Sequence, residues 1–218
     1  NTKDIARWNG STWTSFNIQP AVNSEAPTPI INLLASDENG TIYAGTNSSI
    51  YKSFFRLGSD RRWELLRQGF NHLPRCVEFG TTGTIIVGGR LSNVGPALPL
   101  TVLNGIAVWN DDRWSSFGQG GLRLNEDTAE VFALNKNDQD ALFVGGDFMG
   151  SGDGIVSPFL IRASLGGYSF WPALQSLPAD RLAPDDRNGP LGIPNVIAYA
   201  MGIDPLKAKS EDLPRLIT

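Results

Sequence analysis

The sequence predicts an all-β chain built from a repeated four-stranded antiparallel unit, and three observations carry that expectation. Residues 105–118, GIAVWNDDRWSSFG, are echoed at 4–16 by DIARWNGSTWTSF with both tryptophans in the same register, and such internal repetition marks repeat architectures. Within each copy, positions alternate on either side of Asn9-Gly10 or Asn110-Asp111-Asp112. That period of two around a turn-forming pair is the signature of a β-hairpin. Finally, Ala44-Gly45-Thr46, Val87-Gly88-Gly89 and Val144-Gly145-Gly146 each follow an apolar, β-rich triplet, their first glycines 43 and 57 residues apart. Those spacings bracket the period of about 40–50 residues known for four-stranded propeller blades. The expected architecture is a partial β-propeller of about three and a half four-stranded antiparallel blades, with a short C-terminal helix.

Composition agrees. The 218 residues include 24 glycines and 14 prolines at only 18% charge, a balance of many turns and short strands rather than long helices. Net charge is −4 and no run of Lys or Arg occurs, which argues against nucleic acid or an anionic membrane as partner. No apolar run reaches 18 residues, so membrane insertion is not expected. The single cysteine, Cys76, excludes an internal disulfide and a cysteine-rich zinc site. Flanked by Val77 and Phe79, it reads as a small buried apolar group rather than a nucleophile. The chain begins at Asn1 in the second half of a repeat, with no initiator Met and no signal peptide. It therefore reads as part of something longer, with any targeting segment upstream.

In chain order, residues 4–19 supply a half unit, a hairpin without a preceding strand pair, and 17–29 form a polar, proline-interrupted connection. Residues 30–70 read as a complete unit: IINLLAS, a turn at Asp37–Gly40, TIYAGT, SSIYKSF, a turn at 57–60, and RRWELLRQG. Residues 73–118 repeat the plan as RCVEFG, a TTG turn, TIIVGG, a proline-containing excursion over 90–104, and the WN…W hairpin. Residues 129–174 repeat it again, with an excursion over 148–158 and a last strand at YSFWPAL. The propeller segment thus spans 1–175. Residues 176–218 are a linker and a helical appendage, with Pro194 and Gly202 framing a helix over Asn195–Met201 that Asp204-Pro205 stops.

The recurrent glycines are read as packing points: where neighbouring inner strands crowd together a Cβ would obstruct their approach. No helical pattern follows them to make a phosphate cradle, so no cofactor is expected. Trp13, Trp63, Trp114 and Trp171 on the fourth strands, with Trp8 and Trp109 on the third, are read as unit-to-unit core.

The pattern VxAL…LFVGGDF…G…IAxWN…WSSFG resembles repeats of large secreted or surface β-propeller proteins of bacteria, and is similar to kelch-like and Rax2-like repeats. IYAGTNSSIYKSFFRLGSDRRWELL resembles a sialidase-type Asp-box blade: Ser59, Asp60 and Trp63 match, but arginine stands at the glycine position. The resemblance covers about 4–174. It implies a secreted or cell-surface location and a binding or structural role; intact Asp boxes are themselves structural turns. The C-terminal segment IPNVIAYAMGIDPL resembles DGxxNLLEYALGLDPL, found at the end of large secreted proteins of planctomycete and verrucomicrobial type, where an acidic run before the helix can look like a calcium loop. Here Asp185, Asp186 and Asn188 are the matching weak metal candidates, but Arg187 stands among them and calcium wants about 6–8 oxygens, so a solvated linker without metal is expected.

No catalytic constellation stands out. Asp37, Glu38, Asp60, Asp111, Asp112, Asp138 and Asp140 fall in turns that use acidic residues anyway. Asp147 and Asp153 are the remaining carboxylate pair for a polysaccharide hydrolase or lyase, and His72, before Leu73-Pro74, reads as a solvated loop imidazole. The favoured expectation is a non-enzymatic extracellular or envelope scaffold whose excursions, clustered on one face, bind a protein, glycan or matrix partner, with Arg90, Asn93, Asp147 and Asp153 as loop candidates. A subunit of a larger assembly is the other alternative, because open unit edges invite completion by another chain or by an N-terminal part.

Overall fold

The computed structural model describes residues 5–15, 30–47, 52–67, 69–80, 83–95, 101–110, 112–118, 120–125, 127–137, 141–152, 154–165, 177, 181, 185–201 and 203–212. It is all-β, a series of small antiparallel sheets with one short α-helix among the described residues.

Four of the sheets fall within the four segments read from the sequence as units. Strands β1 (Ala6–Trp8) and β2 (Trp13–Ser15) form a hairpin in which Trp8 faces Trp13. The turn holds because the Asn9 carboxamide oxygen accepts from the Ser11 and Thr12 amides, leaving Gly10 at φ 100°, a conformation open to glycine. The second unit is a meander of β3 (Ile30–Ser36), β4 (Ile42–Asn47), β5 (Lys52–Leu57) and β6 (Trp63–Leu65). Asp37 makes its first turn by accepting from the Asn39 and Thr41 amides. Arg61, in the turn between β5 and β6, has φ 64°, so arginine occupies a left-handed position that a glycine would fill without strain.

The third unit orders its strands as β7 (Pro74–Phe79), β8 (Ile85–Gly89), β11 (Ile106–Asn110) and β12 (Arg113–Ser116). Its excursion is not irregular throughout: β9 (Asn93–Val94) and β10 (Thr101–Val102) pair within it. Strand β13 (Leu122–Arg123) leads into the fourth unit, where β14 (Glu130–Lys136), β15 (Ala141–Asp147) and β17 (Leu160–Ser164) form a three-stranded sheet. In its excursion β16 (Gly150–Ser151) pairs back to β13. The expected last strand, YSFWPAL with Trp171, lies outside the described residues.

Each meander begins with a β-bulge at the same place, between Ile31 and Leu33, Pro74 and Cys76, and Val131 and Ala133. The extra residue aims a side chain out of the ladder. The Asn32 carboxamide donates to the Pro74 carbonyl, and the Arg75 guanidinium lies 5.8 Å from the Phe132 ring centroid, within cation–π range. The bulge residues of consecutive units are therefore neighbours.

The core lies between sheets, not within one. Tyr43, Phe54 and Phe70 of the second unit pack on Ile85, Val87, Trp109 and Trp114 of the third. On its opposite face, Ile86, Ile106 and Val108 of the third unit meet Val131, Leu142 and Ile161 of the fourth. Strand β8 is buried on both sides, its alternate residues split between two cores. Ile5 of the first hairpin packs with Ala44, Phe55, Ile31 and Trp63 of the second unit.

The glycine expectation is met at two junctions. A Cβ on Gly45 would lie 2.8 Å from Pro74 Cγ of the next unit, and one on Gly88 would lie 2.5 Å from Val131 Cγ1. Gly145 differs, with nothing nearer than 4.0 Å. The tryptophan expectation needs correction at one end. Trp63, Trp109 and Trp114 pack between units, but Trp8 and Trp13 are exposed, because their hairpin is a two-stranded sheet whose outward side meets no other described unit.

Strands β18 (Arg187–Asn188) and β19 (Ile193–Pro194) form a small hairpin leading into α1 (Asn195–Met201), the expected helix. Leu177, Ile193, Ala198 and Ile203 make a separate small core.

Candidate functional site

Antiparallel meanders send their loops to two ends. One end collects the second-to-third-strand excursions and the connections between units; the other collects the turns joining first and second strands.

At the first end both excursions are tied into neighbouring backbone. Phe70 bridges Lys52 and Val94, and the Gly95 amide donates to the Gly69 carbonyl. The Leu122 amide donates to Asn104, the Met149 amide to Arg123, and the Gly152 amide to Gly121. Val156 bridges back to Gly150. The backbone of both excursions is thus fastened to the connections between units.

Two loop candidates belong to this end. Arg90 pairs with Asp127 at 2.5 Å; that hydrogen bond raises the guanidinium's pKa and holds the Asp127 carboxyl below its ordinary value. The Asn93 amide donates to the Asn71 carboxamide oxygen at 3.1 Å, so Asn93 helps to clamp the excursion onto the second unit. Nearby, Arg75 pairs with Glu130 at 2.6 Å, and Asp147 is the cross-strand partner of Glu130. Exposed His72 lies close enough to Asp127 to favour its charged form. Charges of both signs therefore gather where β7 and β14 begin; of the two ion pairs, the exposed Arg90–Asp127 adds little stability. Asp153, the expected partner of Asp147, lies outside the described residues.

At the other end a cleft of about 230 Å³ opens between the turns of the second and third units. Asp37, Glu38, Glu78 and Lys136 line it, with Tyr43 and Phe79, whose rings are 5.0 Å apart, as its apolar wall. Glu78 is held from two units, accepting from the amides of Phe79 and, 58 residues on, Lys136, each at 3.0 Å. The Tyr43 hydroxyl donates to Asp37 at 3.2 Å, and burial, followed by the Asp37 charge, pushes its pKa up to about 12. In sequence Asp37 and Glu38 carry only the signature of a turn, which Asp37 does make. Glu78 and Lys136 gave no signal because their meeting is set by how two units stack.

Cys76 sits against Val131, and burial pushes its thiol up to about 12, consistent with an unreactive packing group. In the C-terminal hairpin the Asn188 side-chain NH2 donates to the Arg181 carbonyl at 3.0 Å and to Asn195 Oδ1 at 2.8 Å. Asn188 is buried as a brace for the start of α1. Asp185 is exposed, Asp186 lends its carbonyl to the Asn195 amide, and Arg187 donates to the Gly192 carbonyl. Among the described residues no three His, Cys, Asp or Glu side chains gather as a metal site, and no helix is long and apolar enough to cross a membrane.

The chain matches no protein-family model and no curated protein.

Proposed function

We propose that the chain is a segment of an extracellular or cell-envelope β-propeller, about three and a half blades long, that works as a non-enzymatic recognition scaffold for a protein, glycan or matrix partner. In this reading the units are blades, β3, β7 and β14 are their inner strands, and the bulge residues Asn32, Arg75 and Phe132 face the axis. The kelch-like and Rax2-like resemblance of the repeats, and the secreted proteins that share the C-terminal motif, belong to the same reading.

The observation that carries it is the backbone ladder at the excursion end. Long loops kept in one conformation lose little entropy on binding, which suits recognition. The ladder also presents Ile155, Val156, Phe159 and Leu160 as exposed apolar side chains within six residues. A row of this kind is characteristic of a contact surface.

The test is the immobilised chain against glycan and surface-protein arrays, beside a variant in which residues 149–158 are replaced by a tight turn. The reading predicts at least one ligand that the wild type binds and the variant loses; uniform absence of binding would remove it.

A further inference from the structure

We propose that the chain self-associates head to tail: the exposed Trp8–Trp13 pair of one copy packs on the exposed apolar surface around Leu160, among the described residues of the fourth unit, of a second copy. This inference rests on the stacked-unit reading above and adds the partner.

The template is the junction between the second and third units. There Trp109 and Trp114 are cross-strand partners with ring centroids 5.2 Å apart, and both are buried against the preceding unit. Trp114 meets Phe54 edge-on at 5.9 Å, and its indole N–H donates to the Leu66 carbonyl at 2.9 Å. The first hairpin repeats this element residue for residue. Ala6 faces Ser15 as Ala107 faces Ser116, Trp8 faces Trp13 as Trp109 faces Trp114, and the indole centroids are 5.3 Å apart. Ile5 packs forward onto the second unit as Ile106 packs forward onto the fourth. By strand alternation the two indoles point backward. They are 49% and 66% exposed.

The fourth unit carries the matching half. Phe54, Ile106 and Leu160 are equivalent, each paired with the marker glycine of its own second strand: Gly45, Gly88 and Gly145. Phe54 and Ile106 are at most 1% exposed because the next unit covers them, whereas Leu160 is 57% exposed.

One residue selects a hairpin over a whole further unit as the occupant. Phe159 stands where the third unit has Gly105: both have positive φ, 68° and 89°, and their carbonyls accept from Gly146 and Gly89 respectively, each at 3.1 Å. A Cβ on Gly105 would lie 2.8 Å from the Ala129 carbonyl, part of the connection that leads into the next inner strand. Phenylalanine at that position would obstruct a complete unit. Among the described residues the first hairpin is a two-stranded sheet without inner strands, so beside it the exposed Phe159 has room. Aromatic pairs seated in an apolar socket are the usual anchors of protein interfaces. Because front and rear are different surfaces, the contact is heterologous and builds rings or filaments.

Sedimentation velocity of the full chain over about 1–200 µM tests this, since association follows mass action. The expected result is a mass rising from 23.6 kDa to at least twice that value. Trp13→Ala and Leu160→Asp each weaken association at least about tenfold. Both sites are exposed, so circular dichroism should show folded variants. Mixing the two variants restores a heterodimer, because each keeps the surface the other has lost. A chain monomeric throughout, association indifferent to both substitutions, or a mixture that fails to recover would each overturn the proposal. Cross-relaxation between Gly88 and Val131 in the same sample separates the failures. If it is present in a monomeric chain, only the self-association is wrong; if it is absent, the stacking beneath it is wrong as well.

Discussion

At Gly88 the packing between units leaves no room for a side chain. A Cβ there would meet Val131 Cγ1 at 2.5 Å and Cys76 Sγ at 2.7 Å, whereas at Gly145 nothing lies closer than 4.0 Å. Gly88→Val should cost about 1–3 kcal/mol by overpacking, lowering Tm by about 2–10 °C. Gly145→Ala should stay within about 0.5 kcal/mol of wild type. Thermal melts of the two variants check both. Cys76 gives a prediction of opposite character. Its folded pKa is raised to about 12 mainly by burial, so its contribution is complete below the ordinary thiol pKa and lost as pH rises through about 12. Tyr43 shifts in the same direction. The urea midpoint should therefore decline from about pH 9 upward, and at pH 8 a thiol reagent should modify native Cys76 at least about tenfold more slowly than the unfolded chain. The packing role of Gly45 and Gly88 was legible in the sequence because a bare α-carbon after an apolar triplet points to a backbone constraint; at Gly145 the same reading does not hold, since a Cβ there would meet nothing nearer than 4.0 Å. The cleft was not: Glu78 and Lys136 are 58 residues apart in sequence and nothing local to either one signals the meeting.

The hairpins are the elements the sequence exposes best. Asn-Gly and Asn-Asp turns between alternating strands leave one register open, and Trp8–Trp13 and Trp109–Trp114 pair in that register. The same alternation could not say whether an indole finds a partner. That depends on the neighbouring element, which is why Trp114 is buried and Trp13 is exposed. Trp114→Phe keeps an aromatic ring but removes the donor to the Leu66 carbonyl, and should cost about 1–3 kcal/mol in urea unfolding, the lost bond plus an unsatisfied acceptor. Trp13→Phe should change stability by less than about 0.5 kcal/mol. The third strand of the second unit was expected at 48–54; among the described residues it runs over Lys52–Leu57, three residues beyond the expected end, because pairing of Arg56 with Tyr43 and of Leu57 with Trp63 carries the ladder on to the turn. The helix Asn195–Met201 was legible from its proline and glycine punctuation, but the bracing of its start by Asn188 was not.

At the scale of the whole molecule, the second and third units each use one face for the unit before and the other for the unit after. Strand β8 shows this in three residues, Ile85 and Val87 turned to one core and Ile86 to the other. Among the described residues the series leaves apolar side chains exposed at both ends, the Trp8 and Trp13 indoles at one and Leu160 at the other. The excursions on one side and the acidic cleft on the opposite side are what this stack presents to a ligand. All of this depends on the units being stacked face to face. Nuclear Overhauser spectroscopy measures that contact directly. The account predicts cross-peaks from Gly45 Hα to the Pro74 ring and from Gly88 Hα to the Val131 methyls, with the Trp114 indole near Phe54. Absence of these peaks in a folded sample, with Gly45 and Gly88 instead showing contacts only within their own sheets, would contradict it.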